Sequence, residues 1–209
     1  MVNLQNLADA IKVGNRAEAT KLTRQAIDEK VGAKEILEAM VGAMDEIGKK
    51  FQRNEVFVPE MLIASRAMKE SMAVLEPLLV KAGIKPAFTA VIGTVAGDLH
   101  DIGKNLVAMM WKGANFGVVD LGTNVSPEKF LAAAKEHKAR VVGLSALLTT
   151  TMPAMKQTVA ALRAANLAGL KVVIGGAPIT QEFATEIGAD AFAPDAASAV
   201  EMVRKLMVA

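Results

Sequence analysis

Through residues 1–82 the apolar positions recur every three or four residues, the period of one buried helix face. Leu4, Leu7, Ala8 and Ile11 form a first short stripe, which Gly14 closes. Leu22, Ala26 and Ile27 predict a second helix from Arg16 to Val31, with Gly32 as its stop. Ile36, Met40, Met44, Ile47 and Phe51 mark a third. A fourth is expected to start near Pro59, whose missing N–H does no harm in a first helical turn. Its stripe runs through Met61, Ser65, Met68, Met72, Leu75 and Leu79, with methionine filling core space. Four amphipathic helices on short loops predict an antiparallel bundle over 1–85, ended by the break from Gly83 to Pro86.

From Phe88 the period changes. Short Val- and Ile-rich runs (88–95, 116–121, 140–145, 171–174 and, weakly, 190–192) alternate with helical stretches near 102–112, 127–137, 153–165 and 179–187, and a last one over 196–207. Runs without strict alternation indicate strands covered on both faces, as in a parallel sheet. Five strands alternating with five helices predict a doubly wound α/β domain over 86–209, of the Rossmann or flavodoxin kind. The fold class is therefore α/β with a helical bundle ahead of it.

Composition narrows the functions. Hydrophobic residues make up 52% and charged ones 22% of the 209, which excludes a disordered chain. The net charge of +2 carries no basic cluster, so nucleic acid is not the expected partner. No apolar run reaches the length of a membrane span, and residues 1–6 show no secretory pattern, so a cytoplasmic location is expected. The absence of cysteine removes disulfides, thiolate zinc sites and iron–sulfur clusters together.

In an open α/β sheet, ligands bind beyond the carboxyl ends of the strands. Three such ends carry chemistry here: 97–105 after the first strand, 145–151 after the third, and 175–178 after the fourth. His100 is one of two histidines, and the other, His137, sits in a polar run that suits a solvated helix end. Asp98 lies two residues before His100, where a carboxylate can bond one ring nitrogen and leave the other free for a metal. One histidine cannot hold a bare ion such as zinc, which takes three or four protein ligands. A metal already held in a macrocycle needs only one.

The residues Asp98-Leu99-His100-Asp101-Ile102-Gly103 match the DxHxxG signature of cobalamin-binding domains. Ser145-Ala146-Leu147 matches the SxL element of that family, and Gly175-Gly176 its GG element. The chain as a whole resembles the corrinoid proteins of anaerobic methyltransferase systems, and is similar to the cobalamin-binding module of methionine synthase. The resemblance implies His100 as the lower axial ligand of cobalt, Asp98 as its orienter and Thr151 as the hydroxyl closing a relay, with Thr149 and Thr150 close enough to compete for that part. It implies a slot for the displaced nucleotide tail lined by Ser145, Leu147, Thr149, Gly175 and Gly176, beside the loop 97–103 with Gly97. Gly103 and Gly176 are expected to leave room for the cofactor. In the helical cap, Phe51 and Val58 match two apolar residues covering the cobalt's upper face, with plain bundle core as the alternative.

The implied function is that of a methyl carrier. Its cobalt accepts a methyl group from a donor of the methanol, methylamine, betaine or methoxyaromatic class through one substrate-specific methyltransferase. A second, corrinoid-to-acceptor methyltransferase passes the group to an acceptor of the tetrahydrofolate or coenzyme M class. A reductive activator of the corrinoid would be a third partner. With no substrate site of its own, the chain is expected to be a subunit rather than a complete catalyst. Three rival readings are a cobalamin sensor, a radical mutase subunit and a flavodoxin-like flavin protein. These 209 residues show no DNA-binding or signalling module, and nothing in them suggests a helical cap giving way to a radical substrate barrel. The flavin reading leaves Asp98 and His100 unexplained, with one Trp and no Tyr to stack on a flavin.

Overall fold

The computed structural model describes residues 2–208. They divide into two compact units, one of the described residues up to Pro86 with Gly113–Asn115, the other of Ala87–Lys112 with the described residues from Phe116 onward. The first is helical: α1 (Leu4–Lys12), α2 (Arg16–Asp28), α3 (Ala33–Gln52) and α4 (Val58–Lys81). Asparagine side chains start the first two, Asn3 accepting from the Gln5 N–H and Asn15 from the Glu18 N–H, which satisfies donors with no intrahelical partner. α1 packs on α2 and α3, and α4 packs on the same two, so the four pairings close a ring. Leu7, Ile11, Ile36, Met40, Met44, Ile47, Met61, Met68, Leu75 and Leu79 are buried, as a stripe of that period requires. Four stripe positions are shallower than the spacing suggests, because Leu4, Ile27, Phe51 and Met72 are half-buried. The second helix stops three residues short of Val31: Lys30 turns left-handed at φ +61°, and the Val31 N–H closes on the Ala26 carbonyl.

The second unit is a five-stranded parallel sheet ordered β2-β1-β3-β4-β5, with β1 Thr89–Thr94, β2 Gly117–Asp120, β3 Val141–Ser145, β4 Lys171–Gly175 and β5 Ala191–Phe192. Between and after the strands run α5 (Ile102–Gly113), α6 (Pro127–Glu136), α7 (Met152–Ala164), α8 (Gln181–Ile187) and α9 (Ala196–Val208). This order reverses direction between β1 and β3, the topological switch point of flavodoxin-like sheets. Val91, Val142, Leu144, Val172 and Ile174 on one sheet face pack with Phe130, Met155, Val159 and Leu162 of α6 and α7. Buried residues on consecutive strand positions confirm a sheet covered on both faces.

Two local features differ from the sequence pattern. The run expected to enter a helix at Pro153 first makes a 3-10 turn, Thr149–Thr151. The eighth helix begins at Gln181, two residues later than expected, because the Thr180 hydroxyl caps it by accepting the Phe183 N–H at 3.2 Å. His137 is the exposed cap residue ending α6. Among the described residues no helix is long and apolar enough to cross a membrane.

Candidate functional site

The register brings the three chemistry-bearing strand ends into one row. Thr94, the last residue of β1, pairs with Ser145, the last of β3, and Ser145 pairs with Gly175, the last of β4. Two of the loops leaving this row, those after β1 and β3, are held together by one side chain. Asp98 is fully buried, and its Oδ1 accepts the His100 N–H at 3.0 Å and lies 2.8 Å from His100 Nδ1. Its Oδ2 accepts from the Leu147 N–H at 2.7 Å, the Leu148 N–H at 3.3 Å and the Thr151 hydroxyl at 2.9 Å. One carboxylate thus ties the loop after β1 to the loop after β3, across the switch point.

Burial pushes the Asp98 carboxyl toward protonation. The opposing donors, led by the His100 and Leu147 amides, outweigh it and hold the group well below the usual carboxylate range. An ionised carboxylate can only accept, so His100 Nδ1 carries the ring hydrogen and Nε2 presents its lone pair. The His100 side chain is 50% exposed. A buried orienter behind a half-exposed ring is the arrangement of a metal-ligating histidine.

Several sequence-predicted residues meet in this arrangement: His100 and Thr151 both bond Asp98, which lies between them, and the Leu147 amide bonds it too. Thr149 and Thr150 are exposed and stand in the 3-10 turn that carries Thr151 inward. Leu99 and Ile102 flank the histidine at 73% and 76% exposure, and Leu147 and Leu148 are also exposed large apolar residues. Asp101 is exposed and accepts the Asn105 side-chain amide at 2.9 Å. Gly97 takes φ +82°, the left-handed turn that reverses the chain into Asp98. A Cβ on Gly103 would meet nothing in the protein, so its smallness has no internal steric cause. Gly176 differs, because it has φ +131° and a Cβ there would overlap the Ala146 carbonyl oxygen. Its crowding comes from the fold's own backbone. Phe51, in the last turn of α3, and Val58, opening α4, are half-buried in the helical unit.

Three residues that the sequence reading passed over belong to the same neighbourhood. The buried Thr94 hydroxyl donates to the His100 carbonyl at 2.9 Å. Asn124 accepts the Gly97 N–H on its side chain and donates its own N–H to the Asp98 carbonyl. Lys104 is buried and ion-paired to Asp120 at 2.6 Å. Only Lys104 left a readable signal. It stands on the inward stripe of α5 with Ala108 and Trp111, where an apolar residue would be expected.

Among the described residues no group of three or more His, Asp or Glu could hold a bare metal ion. A single oriented histidine, with exposed apolar residues beside it and open space at Gly103, defines a domain that takes a metal already enclosed in a large organic ligand. The comparisons with known proteins name that ligand. The family model described as B12 binding domain matches residues 88–204, and a second B12 binding domain model matches residues 4–76. A corrinoid protein of Desulfitobacterium hafniense is 38% identical over 98% of this chain and 97% of its own. The dimethylamine corrinoid protein of Methanosarcina barkeri is 36% identical over the same shares. Among solved structures, a cobalamin-binding protein from D. hafniense superposes with a TM-score of 0.82 at 30% identity, covering 99% of both chains. The methanol:cobalamin methyltransferase complex of M. barkeri superposes with a TM-score of 0.86 at 26% identity, covering 98% of this chain and 80% of that one. This chain belongs to the B12-binding family of corrinoid proteins, and its cofactor is cobalamin or a related corrinoid.

Proposed function

We propose that the chain is a corrinoid methyl carrier, with His100 Nε2 as the lower axial ligand of cobalt. The observation that carries this reading is the Asp98–His100 pair, a buried ionised acceptor fixing the tautomer of a half-exposed ring. When bound, the corrinoid supplies a metal centre that can take up a methyl group and release it again. The protein's own part is to present one nitrogen and to fix its hydrogen on Nδ1. The Asp98 carboxylate and the Thr151 hydroxyl give that hydrogen a continuous set of partners leading away from Nε2. Gly97, Leu99, Asp101, Ile102 and Gly103 form the loop on which the macrocycle would rest. Ser145, Leu147, Thr149, Gly175 and Gly176 would line the slot for its nucleotide tail.

The domain division carries a further part of the reading: residues 1–85 act as the cap and 86–209 as the cobalamin-binding domain. Phe51 and Val58 would then be the apolar cover for the cobalt's upper face, an assignment that rests on the sequence resemblance. The donor belongs to the methanol, methylamine, betaine or methoxyaromatic class, and the acceptor to the tetrahydrofolate or coenzyme M class. Support comes from relatives named for dimethylamine and trimethylamine, and from a structural neighbour described as a methanol:cobalamin methyltransferase complex. The partners are a substrate-specific methyltransferase, a methyltransferase serving the acceptor, and a reductive activator, in a soluble cytoplasmic system.

The test is reconstitution of the apo protein with hydroxocobalamin. Wild type should show the absorbance of cobalt ligated by a protein nitrogen, and His100→Ala should show water in its place. After a low-potential chemical reductant has taken the cobalt from the trivalent to the monovalent state, incubation with dimethylamine or methanol and the matching methyltransferase should load the wild-type protein alone. Identical spectra for wild type and His100→Ala would end the reading.

A further inference from the structure

Asp98 is gripped twice. Its carboxylate is held by the loop after β3, and its backbone is held from the opposite side by the segment joining β2 to α6. There the Asn124 N–H donates to the Asp98 carbonyl at 3.0 Å, and Asn124 Oδ1 accepts the Gly97 N–H at 2.8 Å. Asn124 makes both bonds from φ +53°, a left-handed conformation that asparagine tolerates better than most residues. The same segment continues the sheet, since the Thr94 N–H donates to the Gly122 carbonyl and the Val125 N–H to the Thr94 carbonyl.

The far end of the histidine loop is tied to the same segment. Lys104, in the first turn of α5, is buried, and its ammonium lies 2.6 Å from both carboxylate oxygens of Asp120, the last residue of β2. It also donates to Asn105 Oδ1 at 2.6 Å, and the Asn105 amide in turn donates to Asp101 at 2.9 Å. Asp120 Oδ1 accepts the Gly122 N–H, which locks the start of the segment. A buried ammonium is unfavourable unless paired, so a lysine on an inward helix stripe needs a partner fixed in place. Residues 97–98 are therefore held by Asn124, and residues 101–105 by Asp120 through Lys104. His100 lies between the two ties.

We propose that the segment 120–125 is a positioning clamp, built from Asn124 and the Lys104–Asp120 pair, that sets how well His100 presents its nitrogen to the cobalt. None of the three side chains bonds to His100, and all act through the residues on either side of it. The inference rests on His100 as the lower ligand, and the experiment separates failure of the clamp from failure of that reading.

The full-length protein is studied in three variants. Asn124→Gly keeps the left-handed backbone and removes the acceptor. Asn124→Asp keeps the acceptor. Lys104→Met keeps the chain length and removes the charge. Two quantities are read: amide hydrogen exchange at Gly97 in the apo protein, and the ratio of nitrogen-ligated to water-ligated cobalt in the spectrum after loading with hydroxocobalamin. One hydrogen bond sets the scale. In Asn124→Gly, exchange at Gly97 should accelerate, and the ligation ratio should fall about three- to tenfold with the corrinoid still bound. Asn124→Asp should restore both, and Lys104→Met should lower the ratio by a similar factor. A wild-type ratio in both Asn124→Gly and Lys104→Met overturns the clamp, as does failure of Asn124→Asp to rescue. Loss of the folded state in Asn124→Gly and Lys104→Met alike would make the contacts merely structural and overturn it equally. No nitrogen ligation in the wild type, with Gly97 exchange still accelerated in Asn124→Gly, would instead overturn the reading of His100.

Discussion

At the scale of single residues, the state of Asp98 governs the site, and its effect on stability has a definite sign. Its folded carboxyl titrates below the ordinary value of 3.8, so the folded state favours the ionised form. That stabilisation is fully present above about pH 5 and is lost as the pH falls through 4 toward the folded value. Asp98→Asn turns an amide NH2 toward donors that need an acceptor. It should lower apo stability at pH 7 by about 2–4 kcal/mol, and flatten the acid side of the stability curve. Urea midpoints at pH 7 and pH 3 check this, and equal acid losses in both proteins would contradict it. The glycines divide in the same manner. Gly103→Leu should fold normally and lose corrinoid retention through gel filtration, because the space it fills lies outside the protein. Gly176→Leu should lower the melting temperature of the apo protein, because its obstacle is the Ala146 backbone. An unchanged melting temperature in Gly176→Leu would show that the β4–α8 turn relaxes. Asp98 and His100 were legible in the sequence because their spacing is local. Asn124 was not, because its partners lie more than twenty residues earlier, and an asparagine in a polar segment between a strand and a helix signals only a turn.

At the scale of elements, hydrophobic period was enough to find every helix and strand, since each buries a stripe or run against the sheet or within the bundle. What period could not show was the 3-10 turn, where three consecutive threonines differ only in which one the turn rotates inward. Thr151 is buried, and its hydroxyl lies within reach of both Asp98 Oδ2 and the Leu148 carbonyl, whereas Thr149 and Thr150 face water. The turn therefore decides which threonine bonds Asp98, by geometry that no single-residue signal carries. Thr151→Val removes the hydroxyl while keeping the branched shape. It should destabilise the protein by about 1 kcal/mol, or about 2–4 °C in melting temperature. Thr149→Ala should stay within about 0.5 kcal/mol of wild type. Scanning calorimetry of the two variants decides it, and equal shifts would remove Thr151 from the site.

At the scale of the whole molecule, Asp98, His100 and Thr151 fall in one compact unit and the helical bundle in another. Residues 82–87, which span the boundary after Pro86, belong to no helix or strand, and most are exposed. Their last regular bond is the closure of α4, where Gly83 turns at φ +70° and the Ile84 N–H reaches back to the Leu79 carbonyl. A segment with so little backbone bonding opens at low free energy, so subtilisin at low ratio should make its first cut there, located by mass spectrometry. Hydroxocobalamin then discriminates between the units. A ligand that binds only the folded state stabilises it by about 2.7 kcal/mol at a hundredfold excess over its dissociation constant. Asp98, His100 and Thr151 all lie beyond the cut, so the fragment from about residue 88 onward should survive digestion far longer with the corrinoid than without it. A first cut outside residues 82–87, or a carboxyl-terminal fragment whose lifetime ignores the corrinoid, would refute the division of labour between cap and cofactor domain.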